Sequence, residues 1–540
     1  MAERQTEILV VGGGLGGVAA ALAAARLGHQ VVLTEHTDWL GGQMTAQAVP
    51  PDENAWIEDR SLGNTSYIDV RERIRQHYRD HFPLTDEARN NPKLNPGMGG
   101  VSRLCHEAPV AVKVLNDLVA EQGDRITVLL EHQLTDVHTD GDSITAASFS
   151  GPAGDVTIAA RYVLDATELG DVLELGNVES VIGAEAKSDT GELHAVDVAD
   201  PMDQQAITWC FAIDHRPGED HTIDRPARYD EWKTRTYPFW PGSQLSFDDV
   251  HPVTLEHRNW QLLEPEGGVD PDGPRALWRY RQIRAGANLV GGTRLDDVTL
   301  VNWPMIDYWE APLVGVTPEQ RAAALEGSRS LSLSFLYWMQ TEAPNADGGT
   351  GYPGLRLRPD LTGTADGLAK DAYIREARRI RSEFTVLEQH IGVAARPQGI
   401  GGAEQFDDSV GIGFYRIDLH PSTAPRTYVD VNCHPFQIPL GSLIPVRVDN
   451  LIPVNKNIGT THITNGAYRL HPVEWAIGEA AGVLVHQAIE RRLPPRGIRS
   501  DANELADLQR LLTSQGVDLA WPADVREEHD LRVHAPGAPT

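Results

Sequence analysis

Glu7-Ile8-Leu9-Val10-Val11-Gly12-Gly13-Gly14-Leu15-Gly16-Gly17 stands near the head of the chain, and its reading decides the fold. Glu7 to Gly12 has the composition of a short buried strand that runs straight into a glycine turn. Gly12, Gly14 and Gly17 keep the G-x-G-x-x-G spacing. In such a turn the first glycine permits the tight reversal, the second lets backbone approach a pyrophosphate, and the third brings helix and sheet close together. Leu15 to Leu27 follows as a helix, slim along its alanine-rich stretch Ala19 to Ala25, and Gly28 ends it. A second strand, Gln30 to Thr34, delivers Glu35 about 20 residues beyond the glycines, where a carboxylate accepts hydrogen bonds from a ribose. Strand, turn, helix, strand and acid in this order imply an adenine dinucleotide.

Directly after Glu35 comes His36-Thr37-Asp38-Trp39-Leu40-Gly41-Gly42-Gln43, a second glycine pair that a nicotinamide domain has no reason to carry. The N-terminus resembles the FAD-binding fingerprint of the glutathione-reductase-type flavoprotein superfamily, so FAD is the expected cofactor. Asp165-Ala166-Thr167-Glu168-Leu169-Gly170-Asp171, closing an apolar strand from Arg161 to Ala166, resembles the superfamily's Ala-Thr-Gly element, with Glu168 where glycine is usual. Asn450-Leu451-Ile452-Pro453-Val454-Asn455-Lys456-Asn457, followed by Thr461-His462 and Arg469, is similar to the C-terminal flavin element of the bacterial FAD-dependent oxidoreductases. Arg375-Glu376-Ala377-Arg378-Arg379-Ile380 and Tyr415-Arg416-Ile417-Asp418-Leu419-His420 match in the middle. The resemblance covers nearly the entire chain. It implies an α/β fold, a Rossmann-like FAD-binding domain with an antiparallel β-meander crossover, and an inserted α+β substrate domain. The cofactor-binding residues it points to are Gly12, Gly14, Leu15, Gly16, Gly17, Glu35, Gly41, Gly42, Gln43, Ala166, Thr167, Asn455, Asn457 and His471.

Residues 125–166 read as a strand and a meander, with turns at Asp140-Gly141-Asp142 and Gly151-Pro152-Ala153-Gly154. The expected FAD domain is therefore discontinuous, comprising residues 1–48, 100–175 and 430–495, with 49–99 and 176–429 forming a substrate or cap domain and 496–540 a C-terminal helix and tail. The tail's end, Gly537-Ala538-Pro539-Thr540, is expected to fray. The middle region holds eight of the twelve tryptophans, which read chiefly as core. Helices are expected at residues 320–342 and 370–391, the second with its arginines mostly solvated, although the resemblance implies that one of Arg375, Arg378 or Arg379 is buried and paired.

A flavin performs the redox step itself, so the chain must supply position, a proton acceptor and charge. Gly459 to Pro472 reads as a loop leading into a helix from Val473 to Ala488, whose N-terminal dipole can face the flavin pyrimidine ring. His462 is the expected general base or substrate-orienting group, as its counterpart in the similar family lies by the flavin, and Arg469 the expected partner for an anionic substrate or reduced ring. Tyr415 and His420 are further catalytic candidates, although strand alternation sends them to opposite faces. Cys105 or His106 offers a covalent tether to the flavin, a point the sequence leaves open. No metal is expected, since neither His-Glu-x-x-His nor Cys-x-x-Cys occurs. A second nucleotide-binding unit, a redox cysteine pair and the Gly-Trp-x-Trp-x-Ile-Pro string of flavin halogenases are missing. What is left is an oxidoreductase, a dehydrogenase or oxidase taking a hydride from a polar small molecule at a carbon bearing oxygen or nitrogen, with oxygen or another acceptor. The alternatives are a flavin monooxygenase using an external reductant, and a non-catalytic FAD-binding protein or redox sensor.

With 77 acidic against 47 basic residues among 540, the formal net charge of −30 disfavours nucleic acid and anionic membrane as partners. Three scattered cysteines do not form a disulfide framework. No export signal and no apolar run of about 18 residues are visible, so a cytoplasmic location is expected. Asn64-Thr65-Ser66 matches a glycosylation sequon and is expected on a surface loop. The sequence is silent on oligomeric state.

Overall fold

The computed structural model describes residues 2–263, 275–345, 348–397 and 400–525. The expected frayed end at 537–540 lies outside them. Strand β1 (Ala2–Val11) enters helix α1 (Leu15–Arg26), which returns to β2 (Val31–Thr34). Helix α2 (Ala108–Ala120) leads to β3 (Ile126–Leu129), and β4 (Gln133–Asp140), β5 (Ser143–Ser150) and β6 (Val156–Asp165) form the meander. Much later β7 (Leu451–Pro453), α3 (His462–Tyr468) and α4 (His471–Arg491) complete the unit. The sheet runs β3-β2-β1-β6-β5-β4, with β7 also on β6. β3, β2, β1 and β6 are mutually parallel, whereas β4 and β5 are antiparallel to their neighbours.

One edge of β6 serves two partners in turn. Val156–Ala159 pairs with β5, then Val163–Asp165 pairs with β7, while its other edge stays on β1 throughout. That handover brings the ends of β1, β6 and β7 side by side. Ile8, Leu9 and Val10 are fully buried, as befits a parallel sheet covered on both faces. α1 lies against α4 at close range because the contact is made by glycine: a Cβ on Gly478 would stand 2.0 Å from the Gly16 carbonyl oxygen, and one on Gly482 2.5 Å from that of Ala20.

A second core gathers around a four-stranded sheet of Gln282–Arg284, Val298–Val301, Phe211–His215 and Leu355–Leu357. The helix Pro318–Thr341 packs on it, opened by a capping box in which Thr317 and Gln320 satisfy each other's backbone amides. All eight tryptophans of this region are buried.

Three local expectations fail. Residues 370–391 do not form one helix: the stretch is extended, with a two-residue strand at Arg379–Ile380 and one helical turn at Glu388–Ile391. Its backbone bonds elsewhere, Tyr373 N–H to Thr208, Arg378 N–H to Leu169 and Ile380 N–H to Asn457, and these tertiary partners outweigh local helix propensity. Arg375, Arg378 and Arg379 are consequently buried rather than solvated. Residues 459–472 are not all loop, since α3 occupies His462–Tyr468. Asn64 is buried, with its side-chain amide donating to Glu479 Oε2 at 2.6 Å, so the sequon is not on an open loop. No helix among the described residues is long and apolar enough to cross a membrane.

Candidate active site

The glycine turn closes between β1 and α1 with no room for side chains. Gly12 has φ +102°, and a Cβ there would meet the Ala166 carbonyl oxygen at 2.4 Å; at Gly16 the Val454 oxygen would lie 1.7 Å away. The Gly17 position meets the Gly12 oxygen at 2.1 Å. Gly41, at φ +112°, donates to the Gly13 oxygen at 2.7 Å, and a Cβ on Gly42 would stand 2.9 Å from Gly14 Cα. Both glycine pairs thus form one cradle with the Ala166-Thr167 backbone. Glu35 directly follows β2 and reaches the turn. Its Oε2 accepts from Gly13 N–H at 2.7 Å, and its Oε1 accepts from the Thr37 amide and hydroxyl at 2.8 and 2.9 Å. Burial works to raise the Glu35 pKa, but His36 and these amides hold it below the usual carboxylate range.

Polar groups without partners converge on the same ground. Both side-chain polar atoms of the fully buried Gln47, Asn455 Nδ2, Glu168 Oε1 and Asp165 Oδ2 are buried without a hydrogen bond. Amide donors, a glycine cradle at a helix N-terminus and the Lys456 ammonium form a donor set that fits a dinucleotide with a polar ring system. Two carboxylates share this ground. Gly16 N–H donates to Glu474 Oε1 at 3.1 Å, and Glu474 Oε2 takes Gln43 Nε2; Glu168 pairs with Lys456 at 2.5 Å. Burial and neighbouring Glu168 push the Glu474 pKa up to about 7 against the pull of Lys456. Glu168 and Glu474 were not singled out as ligands by their sequence, because nothing local to residue 474 tells that it reaches residue 16.

From Gln43 a hydrogen-bonded chain runs into the middle region. Gln43 Nε2 donates to the Arg469 carbonyl at 2.9 Å, and the Tyr373 hydroxyl meets Gln43 Oε1 at 3.4 Å. Arg469 donates to the Tyr373 hydroxyl at 3.3 Å and to Asp418 Oδ2 at 3.1 Å. Asp418 Oδ2 lies 3.7 Å from His420 Nε2, and His420 Nδ1 lies 2.5 Å from Asp307 Oδ2. Arg375 finishes the chain, donating to Asp307 Oδ1 at 3.1 Å and to Thr208 Oγ1 at 2.8 Å. Asp307 is fully buried, and although burial alone would raise its pKa, Arg375 and His420 hold it below the carboxylate range. The His420 side chain keeps 18% of its surface exposed.

His462 belongs to a second, closed cluster. Its Nδ1 lies 3.0 Å from both Glu376 oxygens, its Nε2 accepts from Arg426 at 3.2 Å, and the residue is 2% exposed. Glu376 is drawn down to about 2 by His462 and Arg379 in spite of its burial. Thr461 caps α3 and donates to Glu192 at 2.6 Å. The structure therefore brings Arg469 and His420 into one network and sets His462 in another. The Tyr415 hydroxyl is buried near Asp52, Asp418 and Arg469, and burial with those carboxylates raises its pKa well above the usual value.

Other candidates are tied up locally. His471 Nδ1 accepts from Asp52 N–H at 3.2 Å and its Nε2 donates to the Val49 oxygen at 3.1 Å, which fixes the tautomer of an imidazole pushed down to about 4 by burial. Asn457 Nδ2 donates to the Asp165 oxygen at 3.1 Å, linking β7 to β6. Thr167 donates to Asp165 through both amide and hydroxyl, at 2.9 and 2.7 Å. Cys105 is a buried thiol raised to about 12 by desolvation, so it stays protonated. His106 is neutral, with its pKa pushed down to about 4 by burial. Asp307 gave no signal in the sequence, lying 113 residues from the histidine it holds.

A relative, the FAD-dependent monooxygenase ntnJ of a Nectria species, is 27% identical over 268 residues, which is 48% of this chain and 53% of that one. The aligned part thus spans about half the length of that relative. Among solved structures, a geranylgeranyl bacteriochlorophyll reductase-like protein from Thermoplasma acidophilum is similar over 98% of this chain and 86% of its own, at 11% identity and a TM-score of 0.32. A variant of E. coli quinol fumarate reductase FrdA is similar over 95% and 74%, at 10% identity and 0.33. Residues 7–512 match the FAD dependent oxidoreductase family. With that match spanning both cores and the glycine cradle, the chain belongs to the FAD-dependent oxidoreductases and is an enzyme of that family.

Proposed function

We propose that this oxidoreductase removes a hydride from a polar small molecule at a carbon bearing oxygen or nitrogen, with His420 taking the accompanying proton. The observation that carries this reading is the Asp307–His420 pair at 2.5 Å. With Nδ1–H donated to a buried carboxylate, Nε2 of this partly exposed ring holds the lone pair, the arrangement a general base needs. Arg375 and Thr208 keep Asp307 oriented, and Asp418 Oδ2 lies 3.7 Å from Nε2 on the other side of the ring. Arg469 positions Asp418 and Tyr373 and is the cation we assign to an anionic substrate group. FAD, when bound, supplies the two-electron acceptor. Gly12 to Gly17, Gly41, Gly42 and Glu35 would hold its adenosine and pyrophosphate, with Gln43, Gln47, Lys456 and Asn455 as polar partners for the remainder. His462, with both ring nitrogens engaged, acts through position rather than as the base. In this reading residues 1–48, 100–175 and 430–495 form a glutathione-reductase-type FAD domain, with 49–99 and 176–429 over the substrate.

Anaerobic mixing with candidate alcohols and amines tests it. Flavin bleaching by substrate alone is expected, and its loss in His420→Asn with FAD retained. A second reading, monooxygenation, draws on the name of the Nectria relative. In that case only a nicotinamide or a partner reductase would bleach the flavin, and the product would carry oxygen.

A further inference from the structure

We propose that His29, His486 and Glu490 form a binding site for a divalent transition-metal ion of the zinc class, at the end of α1 remote from the glycine turn. One ligand atom from each side chain lies within 4.8 Å of the other two. His29 Nε2 stands 2.9 Å from His486 Nδ1, and His29 Nδ1 stands 3.3 Å from Glu7 Oε2. Glu7 also accepts from the Gln30 amide at 3.1 Å, so its carboxylate is held in place. A carboxylate on Nδ1 fixes the proton there and leaves the Nε2 lone pair of His29 facing His486 Nδ1, which is how second-shell acids prepare a metal-binding imidazole. His486 and Glu490 stand one turn apart on α4 and present their ligand atoms on one side. Without metal, His486 Nδ1 donates to His29 Nε2 at 2.9 Å, and an ion between the two nitrogens moves that proton to His486 Nε2.

A tetrahedral zinc with bonds of about 2.0–2.1 Å separates its ligands by roughly 3.3 Å, so the two nitrogens need to part by only a few tenths of an ångström. Two imidazoles and one carboxylate leave the fourth position to water, on the side where Glu490 is exposed. The spacing rules that find zinc sites in sequence miss this one, since His29 and His486 are 457 residues apart. The twelve residues of α1 span about 18 Å, so the ion sits away from the cofactor cradle and clips the α1–β2 turn to the last turns of α4.

The test uses tag-free, FAD-loaded protein stripped with chelator and titrated with zinc chloride by calorimetry, with cobalt(II) absorbance as a second readout. One saturable equivalent and a tetrahedral cobalt spectrum are expected, with the flavin spectrum unchanged. Glu7→Gln should weaken zinc about 10- to 100-fold. His486→Asn and Glu490→Gln, both at the rim, should abolish the stoichiometric phase while keeping FAD. Absence of saturable binding, or binding that survives both rim variants, overturns the site.

Discussion

Gly14 differs from its neighbours in what a side chain would meet. At Gly12 and Gly16 a Cβ runs into backbone oxygens at 2.4 and 1.7 Å, so substitution there breaks the fold. At Gly14 its nearest neighbours are the ends of Glu474 and Glu168, at 3.2 and 3.5 Å, with the Ala166 backbone oxygen at an ordinary contact distance of 3.8 Å. Gly14→Val should therefore fold and lose FAD, as seen by fluorescence titration of the apoprotein. Glu35→Ala should weaken FAD by about 1.5 to 3 kcal/mol, the worth of hydrogen bonds to a charged group. His420→Asn should lower kcat by about 10²- to 10⁴-fold, the usual weight of a general base, with FAD affinity kept. The glycines and Glu35 were legible in the sequence because a G-x-G-x-x-G turn imposes its own spacing. Asp307 and Glu474 were not, because their partners come from distant parts of the chain. Glu474 adds a pH dependence: its carboxyl, with a pKa of about 7, ionises as pH rises and then repels a pyrophosphate at the same amide. FAD affinity is expected to fall from pH 6 to pH 8, and Glu474→Gln should flatten that fall; parallel titration curves would refute it.

Two elements show where local pattern suffices and where it fails. α1 was readable from its alanines and from Gly28, and its close seat on α4 follows from Gly16, Gly478 and Gly482. Gly478→Leu should push the helices apart, lowering both Tm and FAD occupancy, whereas a surface substitution on α4 should do neither. Segment 370–380 was misread because Arg375, Glu376, Arg378 and Arg379 carry the look of a solvated helix face. The buried charges are paired instead, Arg375 with Asp307 and Arg379 with Glu376 and Glu185, while Arg378 reaches from its buried seat to the exposed Glu174. Sequence offers no means to tell a paired buried charge from a solvated one. α3 escaped notice for another reason, being only seven residues long and set by the reciprocal cap of Thr461 and Thr464. Thr461→Ala should cost about 1 kcal/mol of stability.

At the scale of the whole molecule, buried carboxyls set the pH range of stability. Asp165 and Glu192 are each raised to about 7 by desolvation, so the folded chain holds protons that the unfolded chain releases near pH 4. Unfolding free energy contributed by these groups therefore falls as pH rises from about 4 to about 7, at up to about 1.4 kcal/mol per pH unit for each. Glu376 acts in the opposite sense. Its folded pKa of about 2 lies below its unfolded value, so its contribution is present above about pH 4.5 and is lost as pH falls toward 2. The two limbs together predict greatest stability at about pH 4, where the rise from Glu376 meets the fall from Asp165 and Glu192. Asp165→Asn separates them cleanly: Oδ1 still accepts from the Thr167 amide and hydroxyl, while the unpartnered Oδ2 is replaced by a neutral group. At fixed FAD concentration, thermal unfolding of this variant should match the parent at about pH 4 and exceed it increasingly up to pH 8. Curves that remain parallel across that range would mean that Asp165 carries no proton in the folded chain, and that the ends of β1, β6 and β7 hold a full carboxylate beside the cofactor cradle.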